Sequence, residues 1–209
     1  MNAMRVYLHH LAWQTDSTGF KQRMEQYLDV ADGHGIRTIF VFMDDCWNPV
    51  YTGGRQPEPK PGVHNSGWVR DPGDLLYSDT QLESVLEAYV KDVLMHFAAD
   101  KRILMWDLYN EHGNSGYGNH SMPLLEKVFT WARTVNPSQP LSSGIWNRDL
   151  TDLNKFQLER SDVITYHQYQ NDTLHQMTID SLRRYGRPLI CTEYMARRNN
   201  SLFSNIMPI

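Results

Sequence analysis

The sequence has little of what marks metal, nucleotide or nucleic-acid proteins. Only two cysteines, Cys46 and Cys191, occur in 209 residues. Their spacing matches no metal motif and two thiols make no disulfide framework, so both are expected as buried free thiols. Lys and Arg number 20 against 24 Asp and Glu, for a net charge of −4. That balance argues against nucleic acid or an anionic membrane surface as partner. The pairs Arg183-Arg184 and Arg197-Arg198 read as helix-end or surface charges. No apolar run nears the roughly 20 residues needed to span a bilayer. Neither GxGxxG nor GxxxxGK[ST] is present, and no HExxH, HxH or GxSxG pattern. Phosphate-cradling loops, zinc-protease helices and serine nucleophile elbows therefore have no support. The opening MNAMRVYLHH lacks the basic-then-apolar order of a signal peptide.

What is there is an ordinary globular composition, 41% hydrophobic and 21% charged, long enough for one domain with a sizeable core. The most informative stretch is Arg102–Asn119, RILMWDLYNEHGNSGYGN. An apolar run, Ile103–Trp106, turns polar at Asn110-Glu111 and breaks into a loop rich in Gly and Asn. That pattern is a buried strand ending in a functional loop. A carboxylate beside a carboxamide suits sugar chemistry: Glu111 protonates a leaving oxygen while Asn110 binds a hydroxyl. A lone Asn-Glu pair is weak, but a second stretch, RPLICTEYMA, again has a strand delivering a glutamate, Glu193, at its C-terminal end.

Between these, strands and helices alternate about six times. Strands are expected at Met4–Leu8, Thr38–Met43, the run opening at Ile103, Pro140–Ile145, Asp162–Tyr166 and Pro188–Thr192. A helix starting near Asp16–Gly19 places Phe20, Met24, Tyr27, Leu28 and Ala31 on one side. Thr80–Glu83 reads as a capping box, after which Leu82, Val85, Leu86, Tyr89, Val90, Val93, Leu94 and Phe97 form one stripe. Further helices are expected at Ser121–Val135, Leu153–Leu158 and Asp172–Tyr185, and the tail Asn199–Ile209 has room to begin another. Cys46–Tyr77 is a long Gly/Pro-rich connection, either a functional lid or a disordered insertion. Trp47, Tyr51 and Trp68 favour an ordered loop. Continuous apolar strands between amphipathic helices give an α/β fold with a parallel sheet. Polar and aromatic residues gather at the C-terminal strand ends, as in a TIM (β/α)8 barrel. A doubly wound open sheet is the alternative.

Tyr109-Asn110-Glu111, His167-Gln168-Tyr169 and Thr192-Glu193, each closing a strand, resemble the clan A retaining glycoside hydrolases, with the cellulase-like family 5 nearest. The resemblance implies Glu111 as general acid/base and Glu193 as nucleophile. It further implies that Asn110 binds the sugar 2-hydroxyl, Tyr169 hydrogen-bonds the nucleophile, His167 lines the site and Arg5 keeps the nucleophile ionised. Trp146 and Trp47, at or after strand ends, are candidate sugar platforms. His112 replaces the clan's usual proline, which implies a different loop shape. By the family's strand count, residues 1–209 form a single partial catalytic domain. It covers the second to seventh strands and lacks the first and last β/α units, leaving unpaired sheet edges. The resemblance implies β-linked poly- or oligosaccharide substrates, with no cofactor and no metal. It leaves oligomeric state open, and fits a secreted or periplasmic location. Two rivals stand beside it. One is a metal-dependent barrel isomerase or hydrolase using His9, His10, Asp44, Asp45, His167 and Glu193. That reading is weakened because His9 and His10, adjacent in a strand, would face opposite sides. The other is an inactive carbohydrate-binding remnant.

Overall fold

Strand β2, Arg37–Asp44, is buried from its second residue to its last. A strand with both faces covered cannot show polar alternation, which is why it reads as a continuous apolar run. The computed structural model describes residues 2–56 and 58–209. In it the chain forms two compact units, one up to Leu141 and one from Ser142 onward.

In the first unit β1 (Ala3–Tyr7) pairs in parallel with β2, and β2 with β3 (Ile103–Asn110). The register sets Val41 beside Asp107 and Asp44 beside Asn110. β3 passes its hydrogen bonding on to the next segment through Trp106 N to Pro140 O at 3.0 Å, where β4 (Leu141–Ser142) follows. Helices α1 (His10–Thr15), α2 (Ser17–Gly33), α3 (Leu82–His96) and α4 (Met122–Val135) cover the strands. The core is aromatic at its centre. Trp106 stacks on Phe40 and Phe42 with ring centroids 5.6 and 5.2 Å away, and Phe42 meets Tyr89 of α3 edge-on at 5.3 Å. The expected stripe of α3 is the buried face, with Leu86, Tyr89, Val90, Val93 and Leu94 fully enclosed.

In the second unit β5 (Ile164–Gln168) pairs in parallel with β6 (Leu189–Tyr194), setting His167 beside Glu193. Helices α5 (Thr151–Arg160), α6 (Asp172–Arg183) and the short α7 (Phe203–Ile206) accompany them. Ile164, Tyr166 and Leu182 form the centre of its core, packed by Ile145, Leu158, Ile179, Leu189 and Cys191. Among the described residues no helix is long and apolar enough to cross a membrane.

Several local expectations are corrected. The strand expected at Pro140–Ile145 shrinks to Leu141–Ser142 and a single bridge from Ile145 to Tyr166. His9 and His10 do not sit in a strand: His9 caps α1, His10 opens it, and their rings stack at 5.1 Å on one side. Helix α2 starts as expected, with the Asp16 side chain accepting from Gly19 N at 2.9 Å. It ends where Gly35 takes the left-handed φ of +69°. The capping box at Thr80–Glu83 does not form. Gln81 already has helical backbone and α3 has no side-chain cap, whereas a capping residue needs extended backbone. Asp79 accepts from Gln81 N instead, and Glu83 pairs with Lys127. Of the two thiols, both free, Cys46 is buried and Cys191 only partly so.

These caps give a direct comparison. Asn171 accepts from Leu174 N at the start of α6, so Asn171→Ala is expected to cost about 1 kcal/mol of stability. Exposed Thr80 caps nothing, so Thr80→Ala stays within about 0.5 kcal/mol. Urea unfolding of both variants checks the pair.

Candidate active site

The first unit gathers a polar cluster at the C-terminal end of β1–β3. Side chains alternate along β3, so Asp107 and Tyr109 share a face, and the chain then leaves the strand at Asn110-Glu111. Arg5 on β1 reaches across β2 to Asp107, with Nε at 3.1 Å and Nη2 at 2.6 Å from Oδ2. The same Nη2 donates to Asn110 Oδ1 at 2.8 Å, and Nη1 to the Tyr7 hydroxyl at 2.5 Å. The other end of the Asn110 carboxamide donates to Asp44 Oδ1 at 2.9 Å and, more weakly, to Cys46 Sγ at 3.6 Å.

Glu111 takes φ +40°. A proline at position 112 would push its predecessor to extended backbone, so His112 is compatible with this turn where the usual proline is not. His112 is buried and lies edge-on to the Tyr109 ring at 5.7 Å. The Glu111 carboxyl is nearly enclosed; its Oε2 accepts from Cys46 Sγ at 3.1 Å and Asn114 Nδ2 at 2.6 Å.

Two further carboxyls lie behind it. Burial pushes Asp44 up to about 7, against donors from Asn110, Trp68 and Cys46. Asp45 is pushed up to about 6 by burial, opposed by Ser121, Tyr109 and Gly113 N. Burial and the neighbouring Asp44 and Glu111 charges raise the Cys46 thiol far above its ordinary range, so it stays a protonated donor. The long loop takes part. Its Trp68 donates to Asp44 and meets Tyr7 edge-on at 4.7 Å, while Asp71 bridges the backbone of Asp44. Trp47 stays 43% exposed against His64.

In the second unit Glu193 accepts from the Tyr169 hydroxyl, and His167 Nε2 lies 3.5 Å from its other oxygen. Asn199 secures the Tyr169 backbone at 3.0 Å. Trp146, Tyr169, His167 and Gln168 line a cleft of about 350 Å³.

Of the residues singled out in sequence, Arg5, Asn110 and Glu111 thus share one cluster, and Trp146, His167, Tyr169 and Glu193 another. Trp47 lies on the loop without a contact to either glutamate among those described. Sequence reasoning missed Asp107, Cys46 and Asn114. The one signal for Asp107 was a charge inside an apolar strand. Nothing local marked the other two.

For a metal, His9, His10 and Asp71 offer ligand atoms within 4.8 Å of one another. These atoms already make hydrogen bonds within the protein. Asp71 Oδ1 is bonded to His10 Nδ1, Asp71 Oδ2 accepts from His10 N at 2.7 Å, and His9 Nδ1 accepts from Leu11 N at 3.2 Å. Asp44 and Asp45 are likewise turned to protein donors.

No protein-family model matches the chain. Among curated proteins it is similar to mannan endo-1,4-beta-mannosidase F of Aspergillus clavatus, 23% identical over 131 residues. That match covers 62% of this chain and 28% of the relative. Among solved structures it is similar to the exo-beta-1,4-mannosidase Op5Man5 of Opitutaceae bacterium strain TAV5. The TM-score is 0.60 at 16% identity, over 93% of this chain and 39% of that one. An endo-beta-1,4-xylanase of glycoside hydrolase family 10 from Gloeophyllum trabeum gives 0.54 at 12% identity, over 93% and 74%. The chain is a relative of glycoside hydrolases and has the fold of their TIM barrels, incomplete here, with six strands among the described residues. It spans little more than a quarter of the curated relative it matches.

Asp44 makes stability depend on pH. A carboxyl raised to about 7 in the folded state holds its proton more tightly than the unfolded chain. Its contribution is full below about pH 4 and is lost as pH rises through about 7. Asp44→Asn removes that titration. The melting temperature of the wild type minus that of the variant is therefore expected to fall between about pH 4 and pH 7 and to level off above that.

Proposed function

We propose that this chain carries the catalytic residues of a retaining β-glycosidase, related to the cellulase-like family 5, acting on β-linked poly- or oligosaccharides. Residues 1–209 are read as part of one catalytic domain. In the first step the Glu193 carboxylate attacks the anomeric carbon. The bond to the leaving oxygen breaks as Glu111 gives that oxygen its proton. In the second step Glu111 takes a proton from water, whose oxygen attacks the same carbon and releases Glu193. Asn110 binds the sugar 2-hydroxyl; its long contact to Cys46 is the one such a hydroxyl would replace. Arg5 holds Asn110 and Asp107 in place. His167 and Tyr169 keep Glu193 ionised and oriented, and Trp146 offers its indole face to a sugar ring, with Trp47 as an outlying platform.

The observation that carries the reading is the Glu193 carboxylate, held by Tyr169 and His167 at the end of a parallel strand. A hydroxyl donor to a carboxylate favours its charged form, as a nucleophile requires. The substrate to try first is a β-1,4-mannan, since two of the similar proteins are named as mannosidases.

The test is a 2-deoxy-2-fluoro-β-mannosyl fluoride trap followed by peptide mapping. An adduct on Glu193 is expected, and an adduct on any other residue overturns the assignment. Glu193→Ala is expected to abolish turnover. Glu111→Ala is expected to slow aryl mannosides with poor leaving groups by about 10²–10⁴-fold, and activated ones far less in their first step.

A further inference from the structure

We propose that Asn114 is a positioning residue for Glu111, its carboxamide acting with the Cys46 thiol to fix one oxygen of the acid/base carboxyl. This rests on Glu111 being that acid/base. Both donors meet the same oxygen, Oε2, at 2.6 and 3.1 Å. An oxygen accepting two donors has no room for the transferable proton, which therefore resides on Oε1.

The loop is built to hold this arrangement. Asn114 N donates to Glu111 O at 2.9 Å, and Gly118 N to Gly113 O at 2.9 Å. Gly113, at φ +81°, makes the turn possible. The carboxamide cannot flip without loss, because its Oδ1 accepts from Ser115 N. Ser115 Oγ is in turn anchored to Asp45 O at 2.8 Å. Asn114 Nδ2 also reaches Cys46 Sγ at 3.4 Å, closing a triangle of Glu111, Asn114 and Cys46.

Two donors on a carboxylate favour its ionised form and so hold the acid's pKa down. Within this unit the titratable and charged groups near the carboxyl are Cys46, Asp44 and Asp45 at the end of β2, His112 beside it in the chain, and Arg5 through Asn110. Ionised Asp44 and Asp45 push the acid's pKa the other way, as like charges do. Asn114 is then the group that keeps Glu111 able to switch between acid and base.

The experiment is the pH profile of kcat/KM on phenyl β-mannoside, a substrate that needs acid help. Its alkaline limb reports the acid in the free enzyme. In the full chain, Asn114→Ala is expected to move that limb upward by about half a unit to one unit. Asn114→Asp, which adds a like charge, is expected to move it further. Cys46→Ala is expected to give a smaller shift in the same direction and serves if Asn114→Ala does not fold. A uniform loss of rate with the limb unmoved in these variants overturns the proposal. Glu111→Ala separates the two layers. If the limb disappears in Glu111→Ala and azide restores turnover as a mannosyl azide, the acid/base reading stands and only the Asn114 profile decides. If the limb survives in Glu111→Ala, the acid/base reading falls and this proposal falls with it.

Discussion

The guanidinium of Arg5 crosses strand β2 to reach Asp107, which is fully buried. Neither group could be enclosed alone: an unpaired ion in the interior costs several kcal/mol, and removing one partner strands the other. Their pairing lets a charged network stand at the end of an apolar sheet. Asn110 takes its orientation from the same guanidinium, and passes it on to Asp44 and Cys46. Cys46 in turn touches Glu111. The position of the proposed acid therefore depends, through Asn110 and Cys46, on one ion pair between β1 and β3.

The buried carboxyls along this chain of contacts meet different partners. Asp107 meets a permanent cation. Asp44 and Asp45 meet mostly neutral donors, so desolvation wins and both are raised. A hydrogen bond to a neutral donor offsets part of the cost of burying a charge, where a cation offsets more. The long loop after β2 closes over these carboxyls with Trp68 and Asp71. Asp44 and Asp45 are buried beneath it, and charges in such a low-dielectric setting count for more.

The second unit shows a simpler arrangement. Parallel pairing sets His167 beside Glu193, and β5 ends at Gln168, so that the next residue, Tyr169, turns back onto the carboxylate. Each of these residues is positioned by its own strand and the adjoining turn.

Strand and helix order, the α3 stripe and the two strand-end glutamates were legible in the chain because they are local: each depends on periodicity or on a residue's place at an element's end. The resemblance to clan A glycosidases rested on those same strand-end motifs. Other features were not legible. The Thr80 capping box failed because the approach to α3 was already helical. His9 and His10 stacked on one side because α1 began there, not because of their own identities. Cys46, Asn114 and Asp107 became neighbours of the site only through contacts 65, 3 and 102 residues long in sequence. The shortest of these depends on a left-handed turn at Glu111 that no residue type announces. The sequence by itself determined an α/β chain whose strands end in carboxylates. Tertiary structure alone decided which donors meet each carboxylate, and hence which stay charged, because that is settled by burial and distance rather than by order along the chain.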